Sequence, residues 1–112
     1  MRYALLIYVE PWESTPEEDV EVINAYNAFT RSAVAADVMR GGEALHEAKT
    51  ATSVRVRNGE TLVTDGPFAE TKEQLGGYYV LDCENLDEAL AYAAKIPAAE
   101  NGSIEVRPVW MM

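Results

Sequence analysis

"TSVRVRNGETLVTD", residues 52–65, decides how the rest of the chain is read. Valine alternates with polar residues up to Asn58-Gly59, and a second β-rich run follows. Asn-Gly is the favoured pair for a two-residue type I′ turn, because both central residues there take positive φ. A two-residue turn also fixes register, setting Arg57 opposite Glu60 and Val54 opposite Val63. Val54, Val56 and Val63 then share one face, and the period of two extends that face to Asp65.

Outward from this hairpin, "YALLIYV" (3–9) reads as a strand that is apolar on both faces. "TPEE" marks a helix start, with Thr15 as N-cap, Pro16 in the first helical position and Glu18 closing a capping box. Val22, Ile23, Tyr26, Phe29 and Ala33 recur at helical spacing, which carries the helix to near Arg40, where Gly41 and Gly42 stop it. "EALHEA" (43–48) is a short strand candidate and "GYYVLDC" (77–83) a longer one. Asn85 caps a second helix with the stripe Leu86, Ala89, Leu90 and Ala93, ending before Pro97. "SIEVRPVW" (103–110) is the last strand.

The order β-α-β, hairpin, β-α-β predicts an α+β fold of ferredoxin-like type, with both helices on one face of an antiparallel sheet. Such a sheet should alternate apolar and polar residues. The strands at 3–9 and 77–83 do not, since Tyr79, Leu81 and Cys83 face opposite to Tyr78 and Val80. Two helices cannot cover both sides, so a homodimer packed sheet to sheet is expected.

Composition narrows the function. The chain has 112 residues, the size of one domain (1–112), with 48% hydrophobic and 25% charged residues. Nineteen acidic against nine basic residues give a net charge of −10, which argues against nucleic acid and anionic membranes as partners. The one cysteine, Cys83, rules out an intrachain disulfide, and the one histidine, His46, removes multi-histidine metal sites. No apolar stretch reaches the roughly 18–20 residues of a membrane span. The apolar start leads into Glu10-Pro11 with no small-residue cleavage site, so a first strand and a cytoplasmic location are expected.

"VRVRNGETLVTDGPFAETKEQLGGYYVLD", followed by "LDEALAYAAKIPAAENGSIEVRPV", resembles the DGPF-domain branch of the YCII-related proteins. The resemblance covers residues from about 42 to 110, and the N-terminal strand and helix also fit. It implies a dimeric α/β barrel, an architecture shared with muconolactone isomerases, antibiotic monooxygenases and chlorite-dismutase-like proteins. It carries no established activity. A histidine–aspartate pair is proposed in some members, and DGPF proteins are often encoded beside extracytoplasmic-function sigma factors. Around His46, "HEAKTATS" departs from the more apolar, proline-bearing segment of the family.

Asp65 is the leading candidate for chemistry. At the end of the valine face it would point inward, partly desolvated, with a raised pKa suited to proton transfer. The alternative is an Asx-turn, its carboxylate accepting amides from the two residues after Gly66. His46 is the natural partner by pKa, although opposite to Leu45 it faces outward or into the dimer contact. Phe68 either lines a pocket beside Asp65 or plugs the core. Lys72 and Arg55 are candidates for an anionic ligand, against the plainer reading of solvated or snorkelling side chains. Tyr79 is a core or interface aromatic whose hydroxyl would contact substrate near a cleft. Cys83, between Asp82 and Glu84, is a poor nucleophile.

A small-molecule-binding dimer follows, with one cleft per subunit between sheet and helices, closed by the loop from Asp65 to Leu75. With no phosphate loop, dinucleotide fingerprint or metal cluster, a bound cofactor is not required. Either Asp65 moves a proton on a small organic substrate, or the cleft serves a non-catalytic metabolite-sensing module tied to a sigma-factor system. A purely structural dimer is the third reading.

Overall fold

A computed structural model of the protein describes residues 1–111. Its first strand, β1 (Arg2–Val9), buries Tyr3, Leu5 and Ile7 and leaves Ala4, Leu6 and Tyr8 half-buried on the opposite face. Helix α1 (Pro16–Ala35) begins as expected. The Thr15 hydroxyl accepts the Glu18 amide at 3.2 Å, and Glu17, Glu18 and Asp19 meet the positive end of the helix dipole.

The helix ends earlier than its apolar spacing predicts. Asp37 takes a left-handed φ of 57°. Its amide bonds Val34 O at 3.0 Å, and the Val38 amide bonds Ala33 O at 3.1 Å, the paired bonds of a Schellman stop. Aspartate reaches this conformation at lower cost than most residues, so no glycine is needed. Gly41 and Gly42 therefore do not stop the helix. They lie inside β2 (Met39–Ala44), which replaces the strand expected at 43–48. A short 3₁₀ turn (Ala48–Thr50) follows.

Strands β3 (Thr52–Arg57) and β4 (Glu60–Asp65) form the expected hairpin, with Arg57 opposite Glu60 and Val54 opposite Val63. Asn58 and Gly59 hold φ of 52° and 77°, as the I′ turn requires. Strand β5 (Gln74–Asp82) leads to α2 (Leu86–Ala93), whose first turn is capped by Asn85 Oδ1 accepting the Glu88 amide at 3.0 Å. A second 3₁₀ turn (Pro97–Glu100) precedes β6 (Ser103–Pro108).

The main sheet runs β2-β5-β1-β6, antiparallel throughout, which is the ferredoxin-like order with the β3–β4 hairpin inserted. Both helices pack on the face carrying Tyr3, Leu5, Ile7 and Leu81, and Phe29, Ala33, Ala89 and Ala93 join these in one core. Full burial of a leucine such as Leu5 or Leu81 stabilises by about 1.5–3 kcal/mol. The predicted α2 stripe is only half used, because Leu86 and Leu90 stay exposed. On the other face of the sheet Ala4, Leu6, Tyr8, Tyr78 and Val80 are half-buried, with no helix or strand among the described residues packed over them.

Strands β3 and β4 pair only with each other, and Val54, Val56 and Val63 are 60–64% exposed. The valine face predicted to point inward is open in the single chain.

Candidate functional site

A cleft forms where the sheet lacks side chains. On the helix-facing side, Gly42 pairs with Tyr79 and Ala44 with Gly77, so the floor between β2 and β5 is mostly backbone. Helix α1 passes above it, presenting Tyr26 and Thr30. The space between measures about 500 Å³ and is walled by Ile7, Val9, Met39 and Tyr79. The strands approach too closely for a larger floor. A Cβ on Gly77 would lie 2.9 Å from Glu43 O, and one on Gly42 would lie 2.7 Å from Tyr78 O and 2.8 Å from Tyr79 Cδ1.

The polar side chains of the cleft are mostly neutral, hydroxyls together with the exposed Asn27 amide. Thr30 Oγ1 and the Tyr79 hydroxyl are 3.2 Å apart. Tyr79 is held in place by Phe29, ring centroids 4.8 Å apart and tilted by 50°, and Phe29 in turn meets Tyr92 edge-on at 6.5 Å. Burial pushes the Tyr26 phenol above its ordinary value, neighbouring Tyr79 adds to this, and the Ala98 amide opposes it. Tyr26 therefore stays protonated through the neutral range. Among the lining residues only Glu43 carries a formal charge, and it is exposed.

A smaller groove of about 230 Å³ adjoins the cleft, sharing Val9 and Gly76 with it and adding Trp12, His46, Gln74 and Leu75. Gly76 is the extra residue of a bulge in β5, since Ile7 pairs with Gly77 while Tyr8 pairs with Leu75.

The predicted site residues do not converge. Tyr79 lines the main cleft. His46 lines the smaller groove and is exposed, because β2 ends before it at Ala44. Asp65 closes β4 opposite Thr52 and is exposed, at the end of the open valine face. The Asx-turn alternative fails as well. Pro67 has no amide N–H, and among the described residues no hydrogen bond ends on the Asp65 carboxylate.

The motif instead fastens the hairpin base through its glycine. Gly66, at φ 99°, donates its amide to Ala51 O at 2.7 Å and accepts Ser53 Oγ at 2.8 Å. Phe68 is 79% exposed, which overturns its reading as a core plug. Its carbonyl lies 3.5 Å from Arg55 Nη2, a long contact for a hydrogen bond. Lys72 pairs with Glu10 at 3.2 Å, and Glu73 accepts the Ser103 hydroxyl at 2.8 Å. The segment before β5 is thus tied to β6 and to the end of β1. Gln74 and Leu75 then line the smaller groove, and neither belongs to the lining of the main cleft.

Sequence reasoning missed Thr30 and Gly42 as cleft residues and read Tyr26 only as part of the apolar spacing of α1. The available signal was the repeated Gly-Gly at 41–42 and 76–77 in two strands that pair. Elsewhere, Cys83 is buried, and burial together with the Glu88 and Asp82 carboxylates pushes its thiol up. No group of three or more metal-ligating side chains occurs among the described residues, and no helix among them is long and apolar enough to cross a membrane.

A ferredoxin-like sheet, helices on one face and a cleft beneath α1 define a small α+β protein with a built-in pocket. The family model of the YCII-related domain matches residues 1–112, and the chain belongs to that family. An uncharacterized protein of Rhizobium meliloti (strain 1021) is 42% identical over 116 residues, covering 97% of this chain and 92% of that relative.

Proposed function

We propose that this YCII-related chain works as a cytoplasmic homodimer that binds a small molecule in the cleft beneath α1. The observation that carries this reading is the 500 Å³ pocket, lined by apolar side chains and a few hydroxyl-bearing residues, the usual make-up of a small-molecule site. The homodimer is supported by two uncovered apolar faces, one on the main sheet and one on the hairpin. An isolated two-stranded hairpin is marginal in water, so its valine face calls for a covering surface. Sheet-to-sheet packing of a second copy would cover Leu6, Tyr8, Tyr78 and Val80.

Ligand capture is better supported than catalysis in this cleft. Its only charged lining residue is the exposed Glu43. Proton transfer by Asp65, with His46 as its partner, depends on a second subunit to desolvate the carboxylate. The same holds for ligand contacts from Arg55, Phe68 and Lys72, whereas Tyr79 already stands in the cleft. A metabolite-sensing role beside a sigma-factor system agrees with a cleft that binds without reacting.

The test is thermal stabilisation by a metabolite panel on wild type, Tyr79→Phe and Asp65→Asn. A ligand at one hundred times its Kd adds about 2.7 kcal/mol, a clear shift. Stabilisation that survives Asp65→Asn but weakens in Tyr79→Phe places the ligand in the cleft. The reverse pattern moves the site to the hairpin and refutes this assignment. Sedimentation showing a stable monomer would remove the homodimer.

A further inference from the structure

We propose that the cleft selects uncharged, largely apolar ring compounds that present one hydroxyl or carbonyl oxygen to the Thr30–Tyr79 pair, and that it rejects carboxylates and phosphates. This rests on the cleft beneath α1 being the ligand site.

Size comes first. About 500 Å³ lies within the roughly 300–1,000 Å³ of ordinary small-molecule sites and admits a fused two-ring molecule. Shape comes from the floor, where Gly42, Ala44 and Gly77 leave a smooth backbone surface and the aromatic walls Tyr26 and Tyr79 stand over it. Such a slot suits a flat apolar body.

Polarity is settled by counting donors. Thr30 and Tyr79 together carry two O–H groups, and their mutual contact at 3.2 Å uses one donor and one acceptor. One O–H remains to donate to a ligand oxygen. Tyr26 adds a further neutral side chain to the same wall.

Charge decides against anions. None of the lining residues is lysine, arginine or histidine. Arg40 follows Met39 but is engaged by Asp82 at 3.7 Å and Asp37 at 3.8 Å, and it does not line the cleft. Lys72 is paired with Glu10, away from the cleft lining. A carboxylate entering the slot would give up its hydration to neutral groups alone, the hydroxyls and the exposed Asn27 amide, with Glu43 adding repulsion and a net charge of −10 opposing its approach.

The experiment compares 2-naphthol with 2-naphthoate, matched in ring body and opposed in charge, at neutral pH. Calorimetry gives affinities, and amide NMR shifts locate binding on wild type, Tyr79→Phe and Thr30→Val. Naphthol should bind with shifts at Thr30, Gly42 and Tyr79. Either substitution should weaken it by about three- to tenfold, the worth of one hydrogen bond. Naphthoate should bind at least about tenfold more weakly to wild type, as an unpaired anion demands. Naphthoate binding equally well with shifts at the same residues would overturn the selectivity while leaving the cleft as the ligand site. Shifts confined to residues outside the cleft, or no binding of either compound at millimolar concentration, would overturn the cleft reading itself. Two variants guard against misfolding, since each removes a different half of the pair.

Discussion

The Thr30–Tyr79 contact makes a double-mutant cycle decisive. Tyr79→Phe deletes one oxygen and leaves the ring against Phe29 at 4.8 Å, while Thr30→Val exchanges a hydroxyl for a methyl of the same shape. The oxygens are 3.2 Å apart, beyond the usual 2.5–3.0 Å for O–H···O, so the bond belongs in the lower half of the normal net range, about 0.5–1 kcal/mol. Each single variant strands a hydroxyl on an open cleft that water reaches, so the larger penalty for a sealed orphan does not apply. Each single change should therefore cost about 0.5–1 kcal/mol, and the double variant should cost little more than either, giving a coupling of similar size. Urea denaturation at one fixed protein concentration measures it, so that the proposed homodimer, whose stability would depend on concentration, does not blur the comparison. A loss of 1 kcal/mol corresponds to about 4 °C in Tm for a domain of this size. Strict additivity would refute the hydrogen bond. Single costs above about 3 kcal/mol would refute the open cleft, since only a dry, sealed pair carries that penalty.

The neighbouring glycines of β2 should behave oppositely. Gly42→Ala meets backbone at 2.7 Å and should cost about 1–3 kcal/mol, whereas a Cβ on Gly41 meets nothing within 4 Å, so Gly41→Ala should stay within about 0.5 kcal/mol in thermal melts. Equal effects would refute the close approach of the strands. The N-terminal ammonium at 3.0 Å, helped by Arg40, holds the Asp82 carboxyl below the usual carboxylate range. Its folded pKa is depressed, so its stabilisation is complete above the unfolded value of about 3.9 and is lost as pH falls through the lower folded value. Asp82→Asn should make the acid limb of the stability profile slightly shallower, the small effect of an exposed pair, and a steeper limb would contradict the pairing. Cys83, 2% exposed with a raised thiol pKa, should react with iodoacetamide only as fast as the chain unfolds, and rapid labelling of native protein at pH 8 would contradict its burial.

What was legible in the sequence was set by local chemistry. The register of the hairpin followed from Asn58-Gly59, and both helix starts followed from Thr15 and Asn85, because turns and caps involve residues a few positions apart. The two-faced character of β1 and β5 was also readable, since alternation is a property of each strand alone. The end of α1 was not, because the stop uses an aspartate in a conformation usually assigned to glycine. The cleft was hidden for a different reason. It is an absence, created where Gly42 and Gly77 fall on adjacent paired strands, opposite Tyr79 and Ala44, while lying far apart along the chain. Asp65 drew attention because its motif is dense in special residues, yet what holds the hairpin base there is the backbone of Gly66.

The independence of the β3–β4 ladder gives the molecule two scales of stability. Opening that ladder breaks its own bonds, the ties at Ala51 and Ser53 and the long Arg55–Phe68 contact, and leaves Leu5 and Leu81 covered. Amide hydrogens between Val54 and Val63 can thus exchange with solvent through a local opening, while those at Leu5 and Leu81 exchange only when the whole sheet comes apart. The arm can release and re-form while the floor of the cleft stays whole, so the proposed association with a second copy and the proposed occupation of the pocket would be separable events in time.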